Sequence, residues 1–370
     1  MQETYRYLIV TIDPVHVGTG GMRLGRVDNT IVREPGTKLP KIPGTALHGA
    51  IRAYSARRFG KIQCAGQSGH CGKLTCPICY TFGSISGQKS YSGVVSITDA
   101  RILLFPVYSM VGPVWVTSPT VLNDAGFGDN NNVSDDKAKW QGLTDGNALN
   151  LGWLMLEKEN NWTAPDNLKK SIPEAIKDRI VLVSDKLFSQ IVNSNLEVRT
   201  SVSINPETGA AEEGALYSYE AIPRATIMWF DVIVDDFRKE FPSSQKLVEW
   251  GNTLKDKDKS KSLLEKWHLI DDKDNAEKIE QAKTKALGWI NEDREKWNTM
   301  KSVTQTPSGI VKAGIEWLLH LGLGGMGTRG FGRVKEIACL KLNQDGTLDG
   351  KCSKNESHGG TESAEGGRDG

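Results

Sequence analysis

Twelve residues near the end of the chain, Gly322 to Arg333, carry six glycines and lie between a helical pattern and a strand pattern. That order limits what the loop can be. As text, Gly322, Gly324 and Gly327 match G-x-G-x-x-G, but the dinucleotide fingerprint needs a strand before its glycines and a helix after them. Here Ser308 to Leu321 places Ile310, Val311, Ile315, Leu318 and Leu319 at helical spacing, and Arg333 to Leu342 alternates as a strand. The reversed order argues against a nucleotide cofactor. It leaves bare backbone N–H groups beside Arg329 and Arg333, suited to close contact with a phosphate chain. The alternative is a flexible connection, although six glycines cost more backbone entropy than a connection requires.

Net charge says nothing about partners, because 46 Lys and Arg stand against 45 Asp and Glu in 370 residues. The distribution says more. From Pro35 to Thr98 there is no acidic residue, while Lys38, Lys41, Arg52, Arg57, Arg58, Lys61, Lys73 and Lys89 fall there. Such a stretch predicts a surface facing a polyanion, the alternative being a solvated basic face that binds nothing. A composition of 38% hydrophobic and 25% charged residues belongs to a globular chain with room for a sizeable core. No apolar run reaches the roughly 18 residues of a membrane span, and Met1 to Val10 lacks the form of a signal peptide. The expectation is a cytoplasmic protein with reduced thiols and no membrane partner.

Tyr5 to Ile12 reads as a strand that ends at Asp13-Pro14, followed by the loop Gly18-Thr19-Gly20-Gly21. Gly44 to Phe59 reads as a helix with Thr45 as N-cap and Ala46, Leu47, Ala50, Ile51 and Tyr54 as its buried stripe. Strands are expected within Gly93 to Phe105 and over Thr226 to Val234. With the closing helix and strand, the order is β-α-β, a long excursion, then β-α-β. That is an α+β fold of the ferredoxin-like (RRM-like) kind. One domain is expected over 1–352, with its core in 1–60, 93–121, 180–236 and 303–343. The additions are a cysteine-rich insert at 61–92, an irregular insert at 122–167 rich in Asn, Asp and Gly, and a helical insert at 237–302. The tail 353–370 lacks large hydrophobic residues and is expected to be disordered.

Cys64, Cys71, Cys76 and Cys79 form C-x6-C-x4-C-x2-C. Four thiolates within so short a span suit a closed tetrahedral Zn2+ site, structural because no coordination position stays open. His70 is an alternative ligand. The competing reading is a set of small buried thiols. Cys339 is expected in the core and Cys352 idle in the tail.

Val15-His16-Val17-Gly18-Thr19-Gly20, then Gly25-Arg26-Val27-Asp28-Asn29-Thr30-Ile31-Val32-Arg33-Glu34, then Pro40-Lys41-Ile42-Pro43-Gly44 and the helix from Ala46 to Arg52 resemble the opening of a RAMP protein. These are the ferredoxin-like RNA-binding proteins of CRISPR systems. Ser96 to Val107, Trp115 to Pro119, Val183-Ser184-Asp185 and Ile204 to Leu216 are similar to the repeated backbone subunit of the Cmr-type, type III-B effector complex. The cysteine insert resembles those of Csm-type relatives equally, and the 237–302 insert has no counterpart in the resemblance.

The resemblance implies that copies of the chain stack as a helical filament along a guide CRISPR RNA, together with other Cmr-type subunits, in antiviral defence. It implies that each copy cuts the complementary target RNA once, and that Asp28 is the catalytic residue. RNA cleavage needs the 2′-hydroxyl deprotonated and the phosphate aligned in line, which a loop carboxylate can do directly or by holding Mg2+ or Mn2+. His16 is a second catalytic candidate. Glu220 is a third, in Tyr219-Glu220-Ala221-Ile222-Pro223 where relatives carry Glu-Glu-Tyr before Leu-Pro. The implied guide contacts are Gly18, Gly20, His48, Arg52, Arg57, Gly324, Gly325, Gly327, Arg329, Gly330 and Arg333. His48 stands where relatives have a basic residue, so Arg52 is expected to carry more of that contact. Residues 197–218 resemble the family's thumb, a hairpin wedged between bases, with its turn at Asn205-Pro206-Glu207-Thr208-Gly209. Two other readings compete: a scaffold subunit that binds guide RNA without cutting, and an endoribonuclease that processes the CRISPR repeat.

Overall fold

A computed structural model describes residues 2–20, 27–66, 69–87, 89–128, 132–144, 146–271, 274–343 and 345–352. Gly21, the Gly25-Arg26 pair and the 353–370 tail lie outside the described residues. The Glu3–Thr11 strand is antiparallel to Ile227–Val234 on one side and to Val334–Leu342 on the other. Ile227–Val234 pairs in turn with Ala100–Val107 and, farther along, with Val95–Ile97. These strands and the helices Gly44–Arg58 and Pro307–Leu321 form the expected ferredoxin-like core.

Alternation along the first strand explains how both faces of the sheet are covered. Tyr7 and Ile9 join the cluster beneath the helices, whereas Leu8 joins Trp229, Leu122 and Leu168 on the opposite face. The two helices pack closely because Gly314 brings backbone against Ile51, where a Cβ would lie 2.3 Å from the Ile51 carbonyl oxygen. Across the same contact Ser55 Oγ donates to the Ile310 carbonyl at 2.8 Å. Thr45 does not cap the first helix. The N-cap is Pro43, and Asp99 Oδ1 accepts from the Gly44 N–H at 2.7 Å.

The 122–167 segment is more regular than its composition suggests. Lys137–Lys139, Ala148–Leu151 and Leu154–Lys158 are strands that extend the sheet beyond Ala100–Val107, by way of Val114–Thr117 and Ile180–Val183. Runs this short show no readable period among Asn and Gly. Within 237–302, the helices Ser244–Lys255, Lys257–Lys266 and Ala276–Thr299 bury Trp250, Trp267 and Trp297. Trp297 meets Phe59 edge to face, with ring centroids 4.8 Å apart.

The acid-free stretch is compensated by residues distant in sequence, which corrects its reading as a free basic surface. Lys41 pairs with Asp99, Arg58 with Glu316, Lys73 with Glu292, and Lys61 with Asp293. Lys61 and Asp293 are both fully buried, and Thr75 Oγ1 donates to Asp293 Oδ2 at 2.7 Å, so this pair ties the helical insert to the cysteine insert. Lys38 and Arg57 make no ion pair among the described residues. Cys339 is half-buried and forms a disulfide with Cys352, contrary to the expectation of an idle tail cysteine and reduced thiols. No helix among the described residues is long and apolar enough to cross a membrane.

Candidate functional site

Segments distant in sequence, 13–20, 27–33, 217–222 and 322–333, meet at the root of a two-stranded hairpin in which Glu197–Ile204 pairs with Ala211–Ala221. Its turn is closed by Asn205, whose Oδ1 accepts from the Glu207 N–H at 2.8 Å. The register sets Val198 opposite Glu220, Thr200 opposite Ser218 and Val202 opposite Leu216, so these six residues share one face. Arg199 opposite Tyr219 and Ser201 opposite Tyr217 occupy the other.

The first face carries Asp28. Asp28 Oδ2 accepts from the Ser218 N–H at 2.8 Å and from Ser218 Oγ at 2.9 Å, and the Asp28 N–H donates back to Ser218 Oγ at 3.1 Å. These donors, the Ser218 backbone N–H foremost, hold the Asp28 carboxyl below its ordinary value of 3.8. Oδ1 makes no hydrogen bond among the described residues. On the same face Val202 and Leu216 stand outward of Ser218 and Val198 stands inward of it, opposite Glu220; all three are exposed, Leu216 at 68%. At the inner end Glu220 is buried, contrary to a role as auxiliary acid or base. Its Oε1 meets Arg33 NH2 at 2.5 Å, and its Oε2 accepts from the Ile31 N–H at 3.2 Å. Arg33 also donates from Nε to Asn193 Oδ1 at 3.0 Å. Glu220 therefore braces the 27–33 segment that presents Asp28.

The second face carries the cations and the glycine loop. Arg329 NH1 donates to the hydroxyls of Tyr217 at 3.2 Å and Tyr219 at 2.9 Å, and the Arg199 guanidinium lies 4.7 Å from the Phe331 ring centroid. His16 lies on this side, its ring edge-on to Tyr219. His16 Nδ1 is 2.6 Å from the Glu220 carbonyl oxygen, which can only accept, so Nδ1 carries the proton and Nε2 is the acceptor of the neutral ring. A Cβ at Gly18 would lie 3.0 Å from Nε2, so glycine keeps that nitrogen clear. His16 and Asp28 share no hydrogen bond, and the candidate pair is split between the two faces.

The glycine loop is a built structure rather than a bare one. Gly325 N–H donates to the His16 carbonyl at 2.8 Å, and Gly332 N–H to the Pro14 carbonyl at 2.8 Å. Gly324 has φ +79°, and a Cβ there would come within 2.4 Å of the His16 carbonyl oxygen. Part of the loop's N–H complement is thus spent on the chain itself. Gly327 and Gly330 are exposed with nothing within 4 Å of a would-be Cβ, as is Gly20 in the opening loop. Arg329 is exposed as well. Arg333, expected to be a free phosphate contact, is held in a bidentate pair by Asp13, at 2.5 and 3.0 Å.

The first helix departs from expectation in a similar way. Arg52 is buried, donating from Nε to the Cys64 carbonyl at 2.8 Å and from NH1 to the Phe82 carbonyl at 3.2 Å, so it fastens the cysteine insert instead of facing solvent. His48 is half-buried and edge-on to Phe82, and burial lowers its pKa. Arg57 is exposed and lies 5.8 Å from the Tyr54 ring centroid.

The four cysteines converge. The Sγ atoms of Cys64, Cys71, Cys76 and Cys79 all lie within 4.8 Å of one another, an arrangement that could hold a metal ion. His70 is not among the converging ligands, and its Nδ1 accepts from the Ile85 N–H at 2.9 Å. Ser218, Tyr217, Tyr219 and Arg33 join the candidate site without having been singled out in the sequence. The alternation Tyr217-Ser218-Tyr219-Glu220 was the available signal for a two-faced strand.

The RAMP superfamily profile matches residues 8–335. The chain is 28% identical over 268 residues to the CRISPR system Cmr endoribonuclease Cmr4 of Pyrococcus furiosus, covering 64% of this chain and 84% of that protein. It is 36% identical over 81 residues to the Cms endoribonuclease Csm3 of Methanothermobacter thermautotrophicus, covering 21% of this chain and 32% of that one. Among solved structures, a Cmr4 crystal structure aligns over 90% of this chain and 99% of its own, with a TM-score of 0.48 and 21% identity. The profile match spans both faces of the hairpin root and most of the chain: the protein belongs to the RAMP superfamily.

Proposed function

We propose that the chain is a repeated backbone subunit of a type III CRISPR ribonucleoprotein, which holds guide RNA and cleaves complementary target RNA with Asp28. The observation that carries this reading is the hydrogen bond of Asp28 to the hydroxyl of Ser218, a residue on the hairpin face of Val198, Val202 and Leu216. In the proposed arrangement these apolar side chains wedge between bases, an unstacking that costs a few kcal/mol and is offset by protein contacts. The backbone beside the wedge then lies next to Asp28. A carboxyl held below its ordinary pKa is a weak base at neutral pH. Asp28 Oδ1 is therefore assigned to accept the 2′-hydroxyl hydrogen bond and align the nucleophile, rather than to take the proton alone. A Mg2+ or Mn2+ ion at this position would use Asp28 together with RNA phosphate oxygens as ligands and would supply charge stabilisation. On the other face, Gly327, Arg329 and Gly330 contact the guide backbone, and other copies of the chain continue the filament.

The cysteine cluster is read as a structural Zn2+ site. A tetrahedral ion with metal–sulfur bonds of about 2.3 Å sets its sulfurs about 3.8 Å apart. Cys64 to Cys76 is 4.0 Å, Cys71 to Cys79 is 3.6 Å and Cys64 to Cys79 is 3.7 Å. Metal analysis of the purified chain should give one zinc per molecule, lost in Cys76→Ser.

Isolating the protein from its native host and sequencing the bound RNA tests the reading as a whole. Guide RNAs with one common end are the expected result, and cellular RNA of mixed ends would overturn it. A chain that retains guide RNA but never cuts would favour the scaffold reading, and cleavage of repeat RNA by the isolated chain would favour the processing one.

A further inference from the structure

A second candidate site lies away from the hairpin, where the cysteine-rich and helical inserts meet. A cleft of about 900 Å3 opens there, within the range of small-molecule sites. Cys71 lines one wall, so the proposed metal centre borders the cleft. The floor is rigid, because Trp250 and Trp267 are buried and edge to face, with centroids 5.2 Å apart. Trp289 differs from them. It is half-buried, with the exposed Lys285 Nζ 5.5 Å from its ring centroid. Lys285 makes no ion pair among the described residues, whereas Lys266 across the cleft is neutralised by Glu240. The Arg238 guanidinium lies 4.1 Å from the ring centroid of the half-buried Tyr91.

We infer that this cleft binds one unpaired RNA nucleotide, its base against Trp289 and its phosphate toward Lys285. The inference rests on the reading of the chain as an RNA-binding subunit and adds a contact outside the hairpin root. Every base has a π-face, so stacking on Trp289 is tolerant of sequence, and the unpaired Lys285 supplies the charge that a phosphate seeks. Arg238, which donates to the Tyr80 and Ser92 carbonyls, is a second cation in the lining.

The test uses the full-length chain with hexauridylate, measured by anisotropy, and with its 5-iodouridine form for photocrosslinking and peptide mapping. The expected crosslink falls on the peptide containing Trp289. Trp289→Ala should weaken hexauridylate binding about tenfold and Trp289→Phe should retain most of it. Lys285→Glu, an exposed change that spares the fold, should also weaken binding severalfold, and Arg329→Ala should leave the crosslink in place. Unchanged affinity in Lys285→Glu, or crosslinks only elsewhere, would overturn the inference. A chain that crosslinks at Trp289 yet carries no guide RNA would support the cleft while removing the proposed function. Guide retention without the Trp289 crosslink would do the reverse.

Discussion

The two faces of one hairpin root treat their polar groups differently. On the Asp28 face the carboxylate is oriented by Ser218 through one oxygen, while Glu220 beneath it is buried and fully engaged with Arg33 and the Ile31 N–H. On the other face Arg329 is exposed, donates to two tyrosine hydroxyls, and sits on a loop whose glycines leave backbone open. One face has a single carboxylate on a braced support. The other spreads weak contacts over an exposed surface. The contrast suits a division between aligning a reacting phosphate, which needs fixed geometry, and holding a long polyanion, which needs many replaceable contacts.

The strongest challenge to this comparison is to remove the brace. Glu220→Gln breaks a largely buried ion pair and should cost about 3 kcal/mol of stability, read by urea unfolding, because Arg33 is left without its counter-charge. Target cleavage should fall with it, while guide retention at moderate temperature stays close to that of the parent. Equal loss of both would mean that the faces are not independent.

A smaller change sharpens the Asp28 side. Ser218→Ala removes the hydroxyl bond but keeps the backbone N–H, so cleavage should slow severalfold as the Asp28 carboxylate loses one of its orienting donors. The pH profile supplies a second readout. Asp28 is held below 3.8, so its charged form persists down through that value, and losing a donor raises the pKa. The acid limb of cleavage should therefore move to higher pH in Ser218→Ala.

Arg329→Ala should give the smallest effect. Guide retention should weaken a few fold, with the salt dependence falling by about one phosphate's worth, and cleavage at saturating RNA should be unaffected. A slowed cut with normal retention would place Arg329 with Asp28 and collapse the comparison.

The core and the glycine loop were legible because local pattern and chain order carry them: helix before, strand after, and alternation in Glu3–Thr11. Position within the fold was not. Arg52 reads as a surface cation until the Cys64 and Phe82 carbonyls close over it, and Glu220 reads as a free carboxylate until Arg33 arrives from the opposite end of the chain. Lys61 and Asp293 likewise look like solvent charges in separate segments, yet neither is exposed. Charge compensation is a long-range property that no local window contains. Asp28 and His16 are near neighbours in sequence, and only the hairpin sets them against alternate residues, Asp28 on the Ser218 hydroxyl and His16 on the Tyr219 ring.

The central claim is that Asp28 cuts and does not hold. In the assembled complex, Asp28→Ala should abolish target-RNA cleavage while guide content, filament assembly and target binding stay at parental levels. Unchanged cleavage in that variant would contradict the account.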